Sequence, residues 1–367
     1  SGGFFRDAHQ KSPLDLVEYN FDTSPQMDIP GDWNSQDDQL FFYEGTVWFR
    51  KTFDYKPQAG KRAILYFGAI NYESVVYVNG KKQGTHIGGF TPFNIEITNK
   101  LNDGLNTVIV KVDNKRMFEA VPTVNSDWWN YGGITRNVYL VEVPETFIRE
   151  YSVQLSPDRK SICGWLQLDG STLSQNVTLN IPELGIRKSL KTDDKGRAEF
   201  SIKAKPEFWS PSNPRLYNVT LSSETDTVSD RIGFRTIETQ GTKILLNGEP
   251  IFCKGISIHE EIPYEPSGRA NGREDAKVLL GWAKELGCNF VRLAHYPHNE
   301  DMVRTAEEMG LMVWNEIPVY WTIQWENENT YLNTQQQLEE GLRKFGIPMA
   351  LYSDRHTIFR SPKEKLT

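Results

Sequence analysis

From about Gly31 to Pro144 the chain alternates apolar and polar positions in short runs, among them AILYF, VVYVNG and TVIVKV. A period of two places every second side chain on one face, so these runs predict strands with one face on a core. Asn79-Gly80 lies between apolar runs and predicts a tight hairpin turn. From Ile148 to Glu238 the pattern returns with fewer aromatics and a turn at Asp193-Asp194-Lys195-Gly196. A second all-β unit therefore follows the first.

After Thr239 the period changes. Ile251 to Ser257 predicts an apolar strand ending near His259-Glu260-Glu261, and the helix after it shows Leu279, Trp282, Ala283 and Leu286 in register before Gly287 closes it. Phe290 to Leu293 is the next strand, followed by a loop with His295, Tyr296 and Pro297. Met302, Ala306 and Met309 then recur at helical spacing, and Leu311 to Trp314 form a third strand ending on Asn315-Glu316. Strands joined by helical crossovers run parallel. His259, His295 and Glu316 therefore share the carboxyl-end rim where barrels and open sheets place their chemistry.

The runs KGISIHEE (254 to 261), NFVRLAHYPH (289 to 298) and GLMVWNEIP (310 to 318) closely resemble the start of the catalytic barrel of family 2 glycoside hydrolases, which includes β-galactosidases and β-glucuronidases. IPGDWN, EGTVWFRKTF, VYVNGKKQGTHIGGFTPF and DWWNYGGITRNVYL resemble that family's sugar-binding sandwich, and WSPSNPRLYNV with GFR resembles its immunoglobulin-like middle domain. The resemblance implies a multidomain chain of two β-sandwiches and part of a (β/α)8 TIM barrel. The expected boundaries are a jelly-roll galactose-binding-like sandwich over 1–147, an immunoglobulin-like sandwich over 148–238, the N-terminal part of the barrel over 239–340 and an atypical tail over 341–367. It also implies hydrolysis of β-linked galactosides or glucuronides with retention. No cofactor is expected, and no cluster in the sequence has metal-ligand spacing, although some family members bind a magnesium or sodium ion near the barrel rim. Asp127, Trp128, His259, His295 and Glu316 are the expected substrate contacts. Two consecutive tryptophans beside Asp127 cannot both point inward, and the resemblance carries this loop into the active site.

Retaining hydrolysis needs two carboxyl groups about 5 Å apart. The resemblance puts them after the fourth and seventh barrel strands. Asn315-Glu316 matches the family's third-strand acid instead, and Asn327-Glu328 follows no apolar strand, so neither is assigned as acid/base. A complete barrel takes about 250 residues, and 129 run from Thr239 to Thr367. The expectation is a chain truncated within its barrel, without the catalytic pair, and open to self-association through the unpaired sheet. A non-catalytic carbohydrate-binding protein built on the sandwich is the alternative.

A net charge of -7 and no basic stripe argue against nucleic acid or an anionic membrane as partner. From Gly341 to Thr367, however, six Lys or Arg face two Asp or Glu. This tail weakly resembles a piece of an insertion-sequence transposase core, with Asp354 at a strand end. The other reading is a divergent fourth strand over Phe345 to Tyr352, weakened by Pro348. Cys163, Cys253 and Cys288 are too few for a disulfide framework and are expected to be reduced. Ser1-Gly2-Gly3 reads as a cloning scar or processed end, so bacterial cytoplasm and periplasm both fit.

Overall fold

The computed structural model describes residues 21–263, 268–269, 272–321 and 323–345. The first unit is a sandwich of two antiparallel sheets. One runs in the order Thr46–Tyr55, Gly104–Asp113, Glu73–Val78 and Lys81–Ile87, and the other in the order Phe93–Glu96, Lys61–Phe67 and Val138–Pro144. Asn79 and Gly80 both take positive φ, 49° and 78°, as a two-residue hairpin between right-twisted strands requires. Alternate residues such as Ala63, Leu65, Phe67, Val76, Val78, Val110 and Val112 meet in the core around Trp33. Removing a core aromatic of this kind costs about 3–5 kcal/mol.

Trp33 also shapes the 127–133 loop. A Cβ at Gly132 would lie 2.0 Å from the Trp33 ring, so only glycine lets the loop cross there. Backbone bonds hold it: Trp33 N donates to Gly132 O at 2.9 Å, and Gly132 N to Asn34 Oδ1 at 2.8 Å.

The second sandwich pairs Ile186–Lys191, Asn176–Ile181, Tyr217–Ser222 and Thr227–Ile232 against a sheet of Arg197–Lys203, Ser161–Asp169 and Phe147–Leu155. Its own core runs from Ile162 and Leu166 to Val219 and Phe234. The unit abuts the back of the barrel: the Trp209 indole donates to Glu307 O at 2.9 Å, and Arg235 and Arg304 pair with Glu307 and Asp230, both at 2.6 Å.

The third unit is a parallel sheet in chain order, Gly255–Ile258, Phe290–Leu293 and Met312–Asn315. Its first strand starts four residues later than Ile251 to Ser257 predicts. Glu249–Pro250 pairs antiparallel with Leu245 and Leu246, and Ile251 N still donates to Ile244 O at 3.0 Å. The backbone of 251–254 is therefore spent on crossing from that hairpin into the barrel. The helix Arg273–Glu285 buries Ala276, Leu279, Leu280 and Ala283, an i, i+3, i+4, i+7 stripe. Trp282 and Leu286, read from sequence as part of the buried face, are 42% and 69% exposed, because they fall outside that stripe. Glu300–Met309 follows as expected, with Asn299 capping its start and Gly310 closing its end in the left-handed region.

The last described helix, Glu328–Phe345, packs on the first sandwich through polar groups. The Thr330 hydroxyl donates to Glu119 O and the Gln337 amide to Val121 O, both at 2.7 Å. Tyr72 OH donates to Asn333 Oδ1 at 2.9 Å, and His86 Nε2 meets Glu340 at 3.1 Å. Asn327 accepts from Asn329 N and Thr330 N, so the Asn327-Glu328 pair is a helix start. Cys163, Cys253 and Cys288 are free thiols. The fourth-strand reading of Phe345 to Tyr352 lies outside the described residues apart from Phe345, which ends this helix, and Asp354 with the transposase-like stretch lies outside them altogether.

Candidate active site

Four segments converge at the carboxyl ends of the barrel strands. The first strand ends at Ile258 and hands over His259-Glu260-Glu261, the second ends at Leu293 before His295 and Tyr296, the third ends on Asn315 before Glu316, and the sandwich loop brings Asp127 and Trp128. The five residues expected from sequence are brought together. His259 and His295 meet edge to face with centroids 5.2 Å apart, and Trp128 stacks on His295 at 5.6 Å and lies 6.4 Å from His259. His295 Nδ1 is 3.4 Å from Glu316. Asp127 accepts a hydrogen bond from Tyr320 OH, and Tyr320 in turn tilts over His295 at 4.5 Å. The two tryptophans diverge as expected: Trp128 is buried with Phe90 and Tyr296, while Trp129 turns outward onto Phe41 and Phe42.

Beneath the rim sits a buried charge cluster. Glu260 has no solvent exposure and accepts from Arg136 at 2.8 Å, Arg269 at 2.6 Å and the Asn299 backbone N–H. Arg136 comes from the sandwich and also donates to Phe90 O at 2.8 Å and Pro297 O at 2.6 Å. Arg269 donates to Tyr296 OH at 2.9 Å. One carboxylate between two guanidiniums, with its remaining capacity satisfied by backbone, is a form in which buried charge is tolerated. Burial pushes the Glu260 carboxyl up, but Arg136 and Arg269 outweigh it and hold the group below the usual carboxylate range.

The rim histidines lie on the other side of the balance. Burial pushes His259 down against the opposing pull of Glu261, and burial and then Arg292 push His295 down. Both rings are neutral at neutral pH and offer one donor and one acceptor each. Burial raises the Glu261 carboxyl, whose Oε1 is buried without a hydrogen-bond partner. Glu316 spends both oxygens on Arg292, at 2.6 and 3.0 Å. The rim thus presents neutral imidazoles, an aromatic wall and a few carboxylates, a set suited to hydroxyl-rich neutral or weakly acidic ligands. Among the described residues, no three His, Cys, Asp or Glu side chains are grouped to hold a metal ion.

Arg136, Arg292 and Tyr320 belong to this arrangement and were not singled out from sequence, and Tyr296 was read only as a member of the loop after the second strand. Only Arg292 left a local signal, as a charge inside the four-residue strand FVRL, which demands a partner.

Three family descriptions match the chain in series. Residues 7–144 match "Glycosyl hydrolases family 2, sugar binding domain", 150–235 match "Glycosyl hydrolases family 2" and 237–341 match "Glycosyl hydrolases family 2, TIM barrel domain". A beta-galactosidase of Thermoanaerobacter pseudethanolicus is 31% identical over 307 residues, covering 78% of this chain and 41% of the relative. A beta-glucuronidase of Paenibacillus borealis is 27% identical over 335 residues, covering 81% and 54%. The chain thus spans about half the length of these relatives. Among solved structures, a GH2 beta-galacturonidase from Eisenbergiella tayi bound to glycerol superposes with a TM-score of 0.77 at 26% identity, covering 91% of this chain and 60% of that one.

Proposed function

This chain belongs to family 2 of the glycosyl hydrolases, and we propose that its rim is the sugar-contacting part of a retaining β-glycosidase site for β-linked galactosides or glucuronides. The observation that carries this reading is the meeting of Asp127 and Trp128, from the sandwich, with His259, His295 and Glu316, from three successive barrel strands. In the proposed role Trp128 packs against the apolar face of a pyranose. Asp127 and the two neutral imidazoles bond its hydroxyls.

The same geometry supports a second element of the reading: the 367 residues alone bind substrate without turning it over. Double displacement needs one carboxyl to protonate the leaving oxygen and another to attack from about 5 Å away. Both oxygens of Glu316 are engaged by Arg292, and Asp127 is bonded to Tyr320. A panel of chromogenic β-glycosides, assayed with wild type, Asp127→Ala and Glu316→Gln, tests this. Turnover abolished by Glu316→Gln would make Glu316 the acid and overturn the assignment, whereas binding without turnover agrees with it. Sugar binding that survives replacement of both His295 and Glu316 would favour a carbohydrate-binding protein built on the sandwich alone.

A further inference from the structure

We propose that Arg292 is a positioning residue: its guanidinium holds His295 as the neutral ring with its proton on Nε2, and presents that N–H to the sugar. The ligand half of this statement rests on the function proposed above. The tautomer half does not.

A guanidinium has five N–H donors and no acceptor. Arg292 Nη2 lies 3.1 Å from His295 Nδ1, so Nδ1 must meet it with a lone pair, and the ring proton is left on Nε2. The competing arrangement is a proton on Nδ1 shared with Glu316 Oε2, which is more distant at 3.4 Å. That carboxylate already accepts from Arg292 Nε at 2.6 Å and from Nη2 at 3.0 Å. An Nδ1 proton would also point at a cation, while burial and Arg292 both disfavour a doubly protonated ring.

The rest of the environment fixes the plane of the ring. Trp128 lies nearly parallel to it at 27°, and Tyr320 covers it at 4.5 Å. Nε2 has no hydrogen-bond partner among the described residues, so a donor is left for a hydroxyl or ether oxygen. Glu316 gains a distinct role in this scheme. It neutralises and aims the guanidinium that sets the tautomer, as carboxylates commonly do one step back from a functional imidazole.

The test is long-range proton–nitrogen NMR on the full 15N-labelled chain at neutral pH, with the His295 signals identified by their loss in His295→Gln. The expected spectrum shows a protonated Nε2 and a bare Nδ1. A protonated Nδ1 in the wild type overturns the proposal without any variant being needed. Arg292→Met, with its fold checked by the backbone spectrum, is expected to move the proton to Nδ1, now bonded to Glu316. An unchanged Nε2–H in a folded Arg292→Met would show that Arg292 does not set it. Titration with methyl β-D-glucuronide and methyl β-D-galactoside reads the ligand half separately. A shift of the His295 Nε2 resonance supports the contact, and shifts at the Trp128 indole with none at His295 overturn it. No binding of either sugar would instead sink the proposed function and leave the tautomer assignment standing.

Discussion

Arg136 in the first sandwich and Glu260 at the end of the first barrel strand form a buried ion pair 2.8 Å apart across 124 residues of sequence. The same guanidinium holds the carbonyl of Pro297, two residues past His295. One arginine therefore ties the sandwich to both barrel loops that supply the rim histidines.

Breaking a buried ion pair costs about 3–5 kcal/mol; Arg269 still faces Glu260 at 2.6 Å once Arg136 is gone, so a single replacement falls toward the low end of that range. Arg136→Met is expected to lower the free energy of unfolding by that order, read from urea transitions followed by tryptophan fluorescence. A loss below about 1 kcal/mol would mean that Arg269 or entering water compensates Glu260 without Arg136.

Acid should destabilise the fold well above the range of ordinary carboxylates. Burial holds His298 down at about 4, whereas an unfolded histidine titrates near 6.5. Between those values the unfolded chain binds the extra proton, so stability falls as pH drops from about 6.5 to 4, by roughly 3 kcal/mol for this group. Glu260, held below its ordinary range by Arg136 and Arg269, acts in the same sense further down. Its contribution is complete above the unfolded carboxylate value near 4.3 and is lost as pH falls through the lower folded value. Urea midpoints across this range should slope upward with pH, and His298→Gln should remove about one proton's worth of slope between 4 and 6.5. Retention of the full slope in that variant would place its source elsewhere.

Sugar affinity should depend on Asp127 more than on Tyr320. A hydrogen bond from a sugar hydroxyl to a carboxylate contributes about 1.5–3 kcal/mol, so Asp127→Ala is expected to weaken methyl β-glycoside binding by roughly tenfold to a hundredfold. Tyr320→Phe removes only the phenol bonded to that carboxylate and should change affinity by about threefold or less. Calorimetric titration that ranks the two variants the other way would move the recognition contact from Asp127 to Tyr320.

Association is expected at high concentration. Gly255–Ile258 and Met312–Asn315 are the outer strands of the barrel sheet, and Phe252 and Trp321 are 79% and 68% exposed. Outer strands beside exposed apolar rings favour pairing between copies. Light scattering across a hundredfold concentration range should show a rising mass. A constant monomer mass would count against this surface as an interface.

What could be read from sequence was local. Phe290 to Leu293 and the Met302, Ala306, Met309 stripe announce themselves within ten residues, and the strand and helix observed there follow. The helix at 273–285 was misread at Trp282 and Leu286 because apolar residues stand on several of its sides, so that period alone does not choose the buried stripe. The five rim residues were legible because they end strands or sit in a loop of unusual composition. Arg136 and Tyr320 were not. Their partners, Glu260 and Asp127, lie 124 and 193 residues away, and no local pattern encodes a contact at that separation.

The polar seam between Glu328–Phe345 and the first sandwich bears on how such chains can be recombined. Thr330, Asn333, Gln337 and Glu340 read backbone and side-chain groups at Glu119, Tyr72, Val121 and His86, a match of individual donors to individual acceptors. An apolar seam would forgive a substitute sandwich of similar shape. This one acts as a compatibility code, so a chimera cut at the sandwich boundary inherits mismatched donors as well as a foreign loop against its histidine rim. By the same reasoning the immunoglobulin-like unit, which meets the barrel through Trp209, Arg235 and Asp230, is expected to exchange only with the partners it was matched to.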